Sequence, residues 1–373
     1  MPLNIFDRLS KLVMVLTVAL VCSCQSESKE IAVVFPGKTW EVREPEELEV
    51  DSQKLREALE YLASESGGDG LEEVFIARKG YVIYQGDSIY KKHNIYSSSA
   101  TFTSTALGLL HGLDFVHPWT HVRYIDPEME ELYPTLQLKH FASMTSGYSG
   151  KGLSRWKEPN EDWSSTPYEI EEPLFAPGEE YAYSDEAQMM FARLLTKRAK
   201  KTLKEVFDEN IGNVIGMGEF EWGTEGVVDS IPINNGSTGV VINAEQLARF
   251  GHLYLNEGHW SERQILPRFW IIRATSNQVH TDKIANTDRE KVDGRGCYGF
   301  NWWVNGMKPT GEYHMPDAPK SLYYTSGLHN DVCFIIPEWD MVFVRRGADG
   351  NPKKGKPFVY NEFFKRMALA IEK

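Results

Sequence analysis

Three consecutive serines, Ser97, Ser98 and Ser99, stand where an extended run (Asn94, Ile95, Tyr96) gives way to helical spacing, with apolar residues at Phe102, Ala106, Leu109 and Leu110. A serine in that position has two readings. It caps the helix by accepting a backbone N–H, or it is a nucleophile at the positive end of the helix, where unpaired N–H groups favour a developing anion. A nucleophilic serine needs a group to take its proton. Residues three apart share a helix face, so the i+3 position suits that group. For Ser97 this position is Ala100, which cannot accept a proton.

Two further clusters carry polar groups able to work with a serine. Tyr183-Ser184-Asp185 directly precedes EAQMMFARLL, where Ser184 or Asp185 makes a sound helix cap and Tyr183 a packing residue. Thr325-Ser326-Gly327 closes a strand-like YYTS and enters a turn. Two other patterns fail on context. Ser154-Arg155-Trp156-Lys157 has S-x-x-K spacing but no helical periodicity, and GYSGK at 147–151 misses the G-x-S-x-G elbow and has no strand leading into it.

The elements that must position these residues follow from periodicity. DSQKLREALEYLAS reads as a capped helix, and EEVFIARKGYVIYQGD as a hairpin that delivers the chain to Ser97. Helices dominate from Ser98 to about Met217, with LKHFASMTSGY, EAQMMFARLLTKRAK and TLKEVFDENI the clearest. Beyond Ile231 come a strand end and helix (VVINAEQLARFGHLYLNEG), another helix (LPRFWIIRATSN) and the strand-like YGFNWWVN, YYTSGLHND, VCFIIP and MVFVRRG. Sheet material at both ends of a helical middle predicts an α/β (α+β) fold, in which a helical lobe is inserted into a sheet lobe and a cleft lies between them. The expected boundaries are a sheet lobe at about 45–96 and 231–373 and a helical lobe at about 97–230.

Several strings resemble one family. TFTSTALGLL after Ala100 is similar to the segment that follows S-x-x-K in the serine β-lactamase and penicillin-binding protein superfamily. PGEEYAYSDEA resembles its PG-x-x-(F/Y)-x-YS(N/D), and Thr325-Ser326-Gly327 resembles its K-T-G or H-x-G. LKHFASMTSGYSG and STGVVINAEQLARFGHLYLNEGHWSERQILPRFWIIRAT resemble two further family regions, so that the likeness spans roughly residues 45 to 372, in the class C β-lactamase-related esterase and peptidase branch. The resemblance implies an antiparallel sheet packed with helices beside an all-helical lobe. It also implies acyl transfer on a small-molecule or peptide ester or amide. In that scheme Ser97 is the nucleophile, Tyr183 handles the proton, Asp185 orients substrate or relay, and Gly327 lets substrate approach the strand. The Leu328 N–H joins that of Ser97 in the oxyanion hole. Two family cations are missing, because Ala100 stands for the lysine of the first motif and Thr325 for the Lys or His of the third. If the strand stays regular, Thr325, Gly327 and His329 share a face, which makes His329 either a surrogate base or a solvent-facing residue at the strand end.

The rest of the chain bounds the setting. With 373 residues and 42% hydrophobic content it can bury a large core, and a formal charge of −13 argues against a nucleic-acid partner. Residues 1–23 read as a signal peptide, with Arg8 and Lys11 before an apolar stretch from Leu12 to Val21. Val21-Cys22-Ser23-Cys24 resembles a lipobox with Cys24 as the lipidated residue, which implies an exported lipoprotein on a tether over 24–44. Gln25 in place of aspartate points to the outer membrane or the cell surface. Cys297 and Cys333 either pair or remain buried thiols. His252 and His259, seven apart, have poor metal spacing, and the sequence calls for no cofactor or metal. The expected function is an exported serine hydrolase. The alternative is a catalytically impaired pseudoenzyme that binds a cell-envelope ligand or a partner protein.

Overall fold

The computed structural model describes residues 32–151, 166–286, 292–347 and 352–371. The proposed signal peptide, Cys24 and the S-x-x-K at 154–157 lie outside the described residues. Val34–Lys373 clusters as one unit, apart from Met1–Val33.

The main sheet has six strands, numbered here β1 (Val74–Arg78), β2 (Tyr81–Gln85), β3 (Trp303–Val304), β4 (Tyr323–Ser326), β5 (Val332–Ile336) and β6 (Met341–Arg345). Their spatial order is β3-β4-β5-β6-β1-β2, and every pairing is antiparallel. The β1–β2 hairpin turns at Lys79 and Gly80, both at positive φ, the geometry that tight two-residue hairpin turns require. The YGFNWWVN stretch yields only the short edge strand β3. Positive φ at Gly296 and Asn301 bends the chain just before it.

Five helices of twelve residues or more accompany the sheet: α1 (Ser52–Glu65), α2 (Ser99–Gly112), α3 (Asp185–Ala199), α4 (Ala244–Leu255) and α5 (Lys356–Ala370). Strand alternation sends Cys333 and Val342 toward α4, where a Cβ on Gly251 would stand 2.9 Å from both side chains. Phe334 and Phe343 face the other way, onto Tyr360, Phe363 and Phe364 of α5 at ring distances of 4.8 to 6.0 Å. Between the two halves of the sheet the chain carries α2 and α3 together with short sheets, among them His93–Asn94, Val240–Ile242 and Glu221–Trp222.

Helix α2 runs through the core rather than over it. Every residue from Ser99 to His111 is buried, so the 3.6-residue apolar spacing marks only its most hydrophobic side. Its hydroxyls are tolerated because they find acceptors: Thr101 on the Ser98 carbonyl, Ser104 on that of Thr101, and Thr103 on that of Gly236. Cys297 and Cys333 are both free and buried. Burial pushes the Cys297 thiol up to about 11 and raises that of Cys333 further, so neither has the thiolate character of a reactive cysteine.

Candidate functional site

The turn that carries Ser97 is built from strained and pinned backbone. His93–Asn94 pairs with Val240–Ile242, and the Ile95 N–H continues that ladder to the Val240 carbonyl at 2.9 Å. Tyr96 then takes a left-handed φ of +46°, and the Asn94 side chain accepts its N–H at 2.7 Å. A non-glycine residue at positive φ costs free energy that the surroundings must supply. Here it turns the chain at once from strand into the short 3-10 turn Tyr96–Ser98, which leads into α2.

The three serines differ in what their hydroxyls do. Ser99 accepts the Val240 N–H at 3.1 Å. Ser98 is the residue before α2, yet its side chain makes no capping bond, and its buried hydroxyl has no partner among the described residues. Ser97 is half-buried, and Ala100 is 2% exposed. The capping reading of this serine run is therefore not borne out at Ser98.

The end of β4 meets this turn. Gly327 packs so closely on it that a Cβ at that position would lie 2.1 Å from the Ile95 carbonyl oxygen and 3.3 Å from Ser98 Oγ. Only glycine permits that approach. The strand stops at Ser326, and the chain folds into a turn in which the Gly327 N–H bonds the Asp331 carbonyl and the Asp331 N–H bonds that of Leu328. The Leu328 N–H and the Ser97 N–H have no backbone acceptor among the described residues. Thr325 is buried at 1% exposure, and its hydroxyl has no partner among the described residues.

The regular-strand placement of His329 is corrected by this turn. His329 and Asn330 both sit at positive φ, so neither continues the alternation of β4. The His329 ring nevertheless returns to the site, packing on the Tyr96 ring at 5.0 Å.

Tyr183 and Asp185 lie at the start of α3 and link to β4 through a run of aromatic rings. Ser184 caps α3 by accepting the Ala187 N–H at 3.2 Å, and Asp185 is the buried first residue of that helix. The Tyr183 ring is 6.4 Å from that of Tyr298, which is 5.0 Å from Trp303, which stacks at 6.3 Å on Tyr324 of β4. Burial raises the Tyr298 hydroxyl far above the usual tyrosine range, and the nearby Asp185 charge pushes the same way. Helices α2 and α3 are clasped through Gly236. Its carbonyl accepts from Thr103, and a Cβ on it would stand 2.0 Å from the Gln188 carbonyl.

Two participants escape motif reading. Tyr298 lies in the aromatic run CYGFNWW, where one tyrosine looks like the next. Lys356, the first residue of α5, sends its ammonium to the Gly327 carbonyl and to Ser326 Oγ, the latter at 3.3 Å. Gly355 and Pro357 beside it mark a helix start but say nothing about where the side chain goes. Below the turn, Asp331 pairs with Arg346 in a fully buried contact of 2.5 Å, and the Arg346 guanidinium also bonds the Ile242 and His93 carbonyls.

Solved structures share this architecture. A penicillin-binding protein homologue from Caulobacter crescentus superposes with a TM-score of 0.63 at 13% identity, over 91% of this chain and 99% of that one. EstA from Arthrobacter nitroguajacolicus Rue61a gives 0.60 at 17% identity, over 90% and 100%. EstCE1, described as a hydrolase with promiscuous acyltransferase activity, gives 0.61 at 15% identity, over 86% and 98%. At these identities the likeness is one of fold. No curated protein matches the chain. The beta-lactamase family model matches residues 91–345, a span that includes Ser97, Tyr183 and Gly327, and the chain belongs to that family.

Proposed function

We propose that this protein is a serine hydrolase working by acyl transfer on a small ester or amide. Ser97 attacks the carbonyl carbon, and its proton passes by way of Tyr183 to the leaving group. The N–H groups of Ser97 and Leu328 hold the oxyanion, and water then repeats the sequence on the acyl-enzyme. The observation that carries this reading is the seating of Gly327 against the Ile95–Ser98 turn, beside two N–H groups, those of Ser97 and Leu328, that have no backbone acceptor among the described residues. Family membership supports it, and so does the description of EstCE1 as a hydrolase with promiscuous acyltransferase activity.

Ala100 favours a second reading, a binding protein that keeps the cleft without efficient turnover. A buried methyl three residues from Ser97 supplies no cation and no base at that position. A fluorophosphonate probe followed by intact-mass measurement separates the two. Stoichiometric labelling that disappears in Ser97→Ala supports the hydrolase. Absence of labelling in both the wild type and Ala100→Lys overturns it.

The lipobox at Cys24 completes the proposal by placing the enzyme on the envelope, at the outer membrane or the cell surface, on a lipid anchor. Palmitate labelling that vanishes in Cys24→Ser is the expected result.

A further inference from the structure

Lys356 occupies a costly position. It opens a fifteen-residue helix, where the macrodipole opposes a positive charge, and its side chain is half-buried. Side chains at a helix start lean back past the first turn, and this one reaches the Gly327 carbonyl and Ser326 Oγ at the end of β4. Two backbone bonds close the adjoining turn. The Gly327 N–H serves the Asp331 carbonyl, and the Leu328 carbonyl takes the Asp331 N–H. Beside them lies the Gly327–Leu328 peptide bond, with its oxygen on Lys356 and the Leu328 N–H on the opposite side.

We propose that Lys356 is a positioning residue for Leu328: by holding the Gly327 carbonyl, its ammonium orients and polarises the N–H at the other end of the same peptide bond. The peptide group is planar and conjugated, and in its trans form the C=O and N–H point in opposite directions. A charge-assisted bond to the oxygen draws electron density away from nitrogen and makes the N–H a stronger donor. The chain thus returns a cation to the site from its last helix, although both motif positions that carry cations in the family hold Ala100 and Thr325. The inference rests on the reading of the Leu328 N–H as an oxyanion donor.

The groups facing the ammonium are Ser326 from β4, Gly327 and Asp331 from the turn that follows it and Arg345 from β6, with Arg346 and His93 meeting Asp331 beyond. Burial pulls Lys356 down to about 8. Asp331 opposes that fall and Arg345 adds to it. The charge on the peptide is therefore lost within an accessible pH range.

The test uses the full chain labelled with carbonyl-13C glycine and 15N leucine. The Gly327–Leu328 pair is observed by carbon-detected NMR between about pH 6.5 and 9.5 and is assigned through Leu328→Ile. In the wild type both nuclei shift together through one midpoint near that of Lys356. Lys356→Arg holds the low-pH position throughout, and Lys356→Met holds the high-pH position. Equal titration in wild type and Lys356→Met overturns the proposal. Fluorophosphonate labelling of Ser97 is measured alongside, with a fall of about tenfold or more expected in Lys356→Met and retention in Lys356→Arg. Unchanged labelling in Lys356→Met also overturns it. A wild type whose peptide nuclei titrate but whose Ser97 never labels sinks the acyl-transfer reading and leaves the Lys356 assignment standing. If Lys356→Met fails to fold, Lys356→Gln takes its place in both arms.

Discussion

Gly327 and Ile95 meet backbone to backbone, with room for a hydrogen but not a methyl: a Cβ on Gly327 would come 2.1 Å from the Ile95 carbonyl oxygen. Gly327→Ala must therefore separate the β4 edge from the Ser97 turn. We expect a fall of at least about tenfold in Ser97 labelling, with a stability loss of about 1–3 kcal/mol in denaturant melts. Gly251→Ala, which crowds Cys333 and Val342 between α4 and the sheet without touching the Gly327–Ile95 contact, should lower stability comparably and leave labelling intact. Equal labelling losses in both variants would mean that the Gly327 contact has no special bearing on the site.

Ala100→Lys restores a cation three residues after Ser97. A general base in place contributes roughly 100- to 10,000-fold, so Ser97 labelling and ester hydrolysis should rise by at least about tenfold. The gain should require Tyr183, which a Tyr183→Phe background checks. A rise that survives in that background would assign the proton to the new lysine alone.

The sequence displays these relationships unevenly. The hairpin before Ser97, the cap at Ser184 and the strands around VCFIIP and MVFVRRG are local features, written in alternation, turn chemistry and capping residues, and they appear where expected. Gly327 was visible as a glycine at a strand end, though not its partner Ile95, which is more than two hundred residues away. The condition set for His329, a regular strand, fails because a strand pattern does not announce where pairing stops, and positive φ at His329 and Asn330 follows the end of β4. Lys356 could not be read at all. Its role depends on a tertiary reach from a helix whose local sequence records only its own beginning.

Arg346 and Asp331 form an ion pair with both side chains at 0% exposure, and Arg346 also bonds two carbonyls from neighbouring segments. Removing one partner leaves a buried charge uncompensated. Arg346→Met should cost about 3–5 kcal/mol in urea melts. It should also loosen the turn above it, visible as earlier hydrogen exchange at Asp331. Burial raises the Asp331 carboxyl and Arg346 draws it back down, so removing Arg346 should raise it further.

Acid should destabilise the fold through buried imidazoles. Burial depresses His140, His252 and His314 to about 4, against an ordinary value near 6.5. Between those values the unfolded chain binds protons that the native state refuses. Stability is therefore flat above about pH 6.5 and falls as the pH drops toward 4. For His252, which is fully buried with Nε2 on the Val34 carbonyl, the loss from pH 7 to pH 5 is about 2 kcal/mol. His252→Gln, which keeps a donor for that carbonyl, should narrow the difference between melts at the two pH values by about that amount. An unchanged difference would assign acid sensitivity to other groups.

The strand order β3-β4-β5-β6-β1-β2 has a consequence in time. The first strands made, β1 and β2, find their place in the sheet only against β6, and α1 beside α5, near the far end of the chain. Pairings so distant in sequence form late. Ser97 is synthesised more than two hundred residues before the Gly327 it must meet, and Lys356 follows later still. An interrupted or still-emerging chain thus carries its serine without the groups around it, and chemistry at that serine waits for the closure of the whole fold.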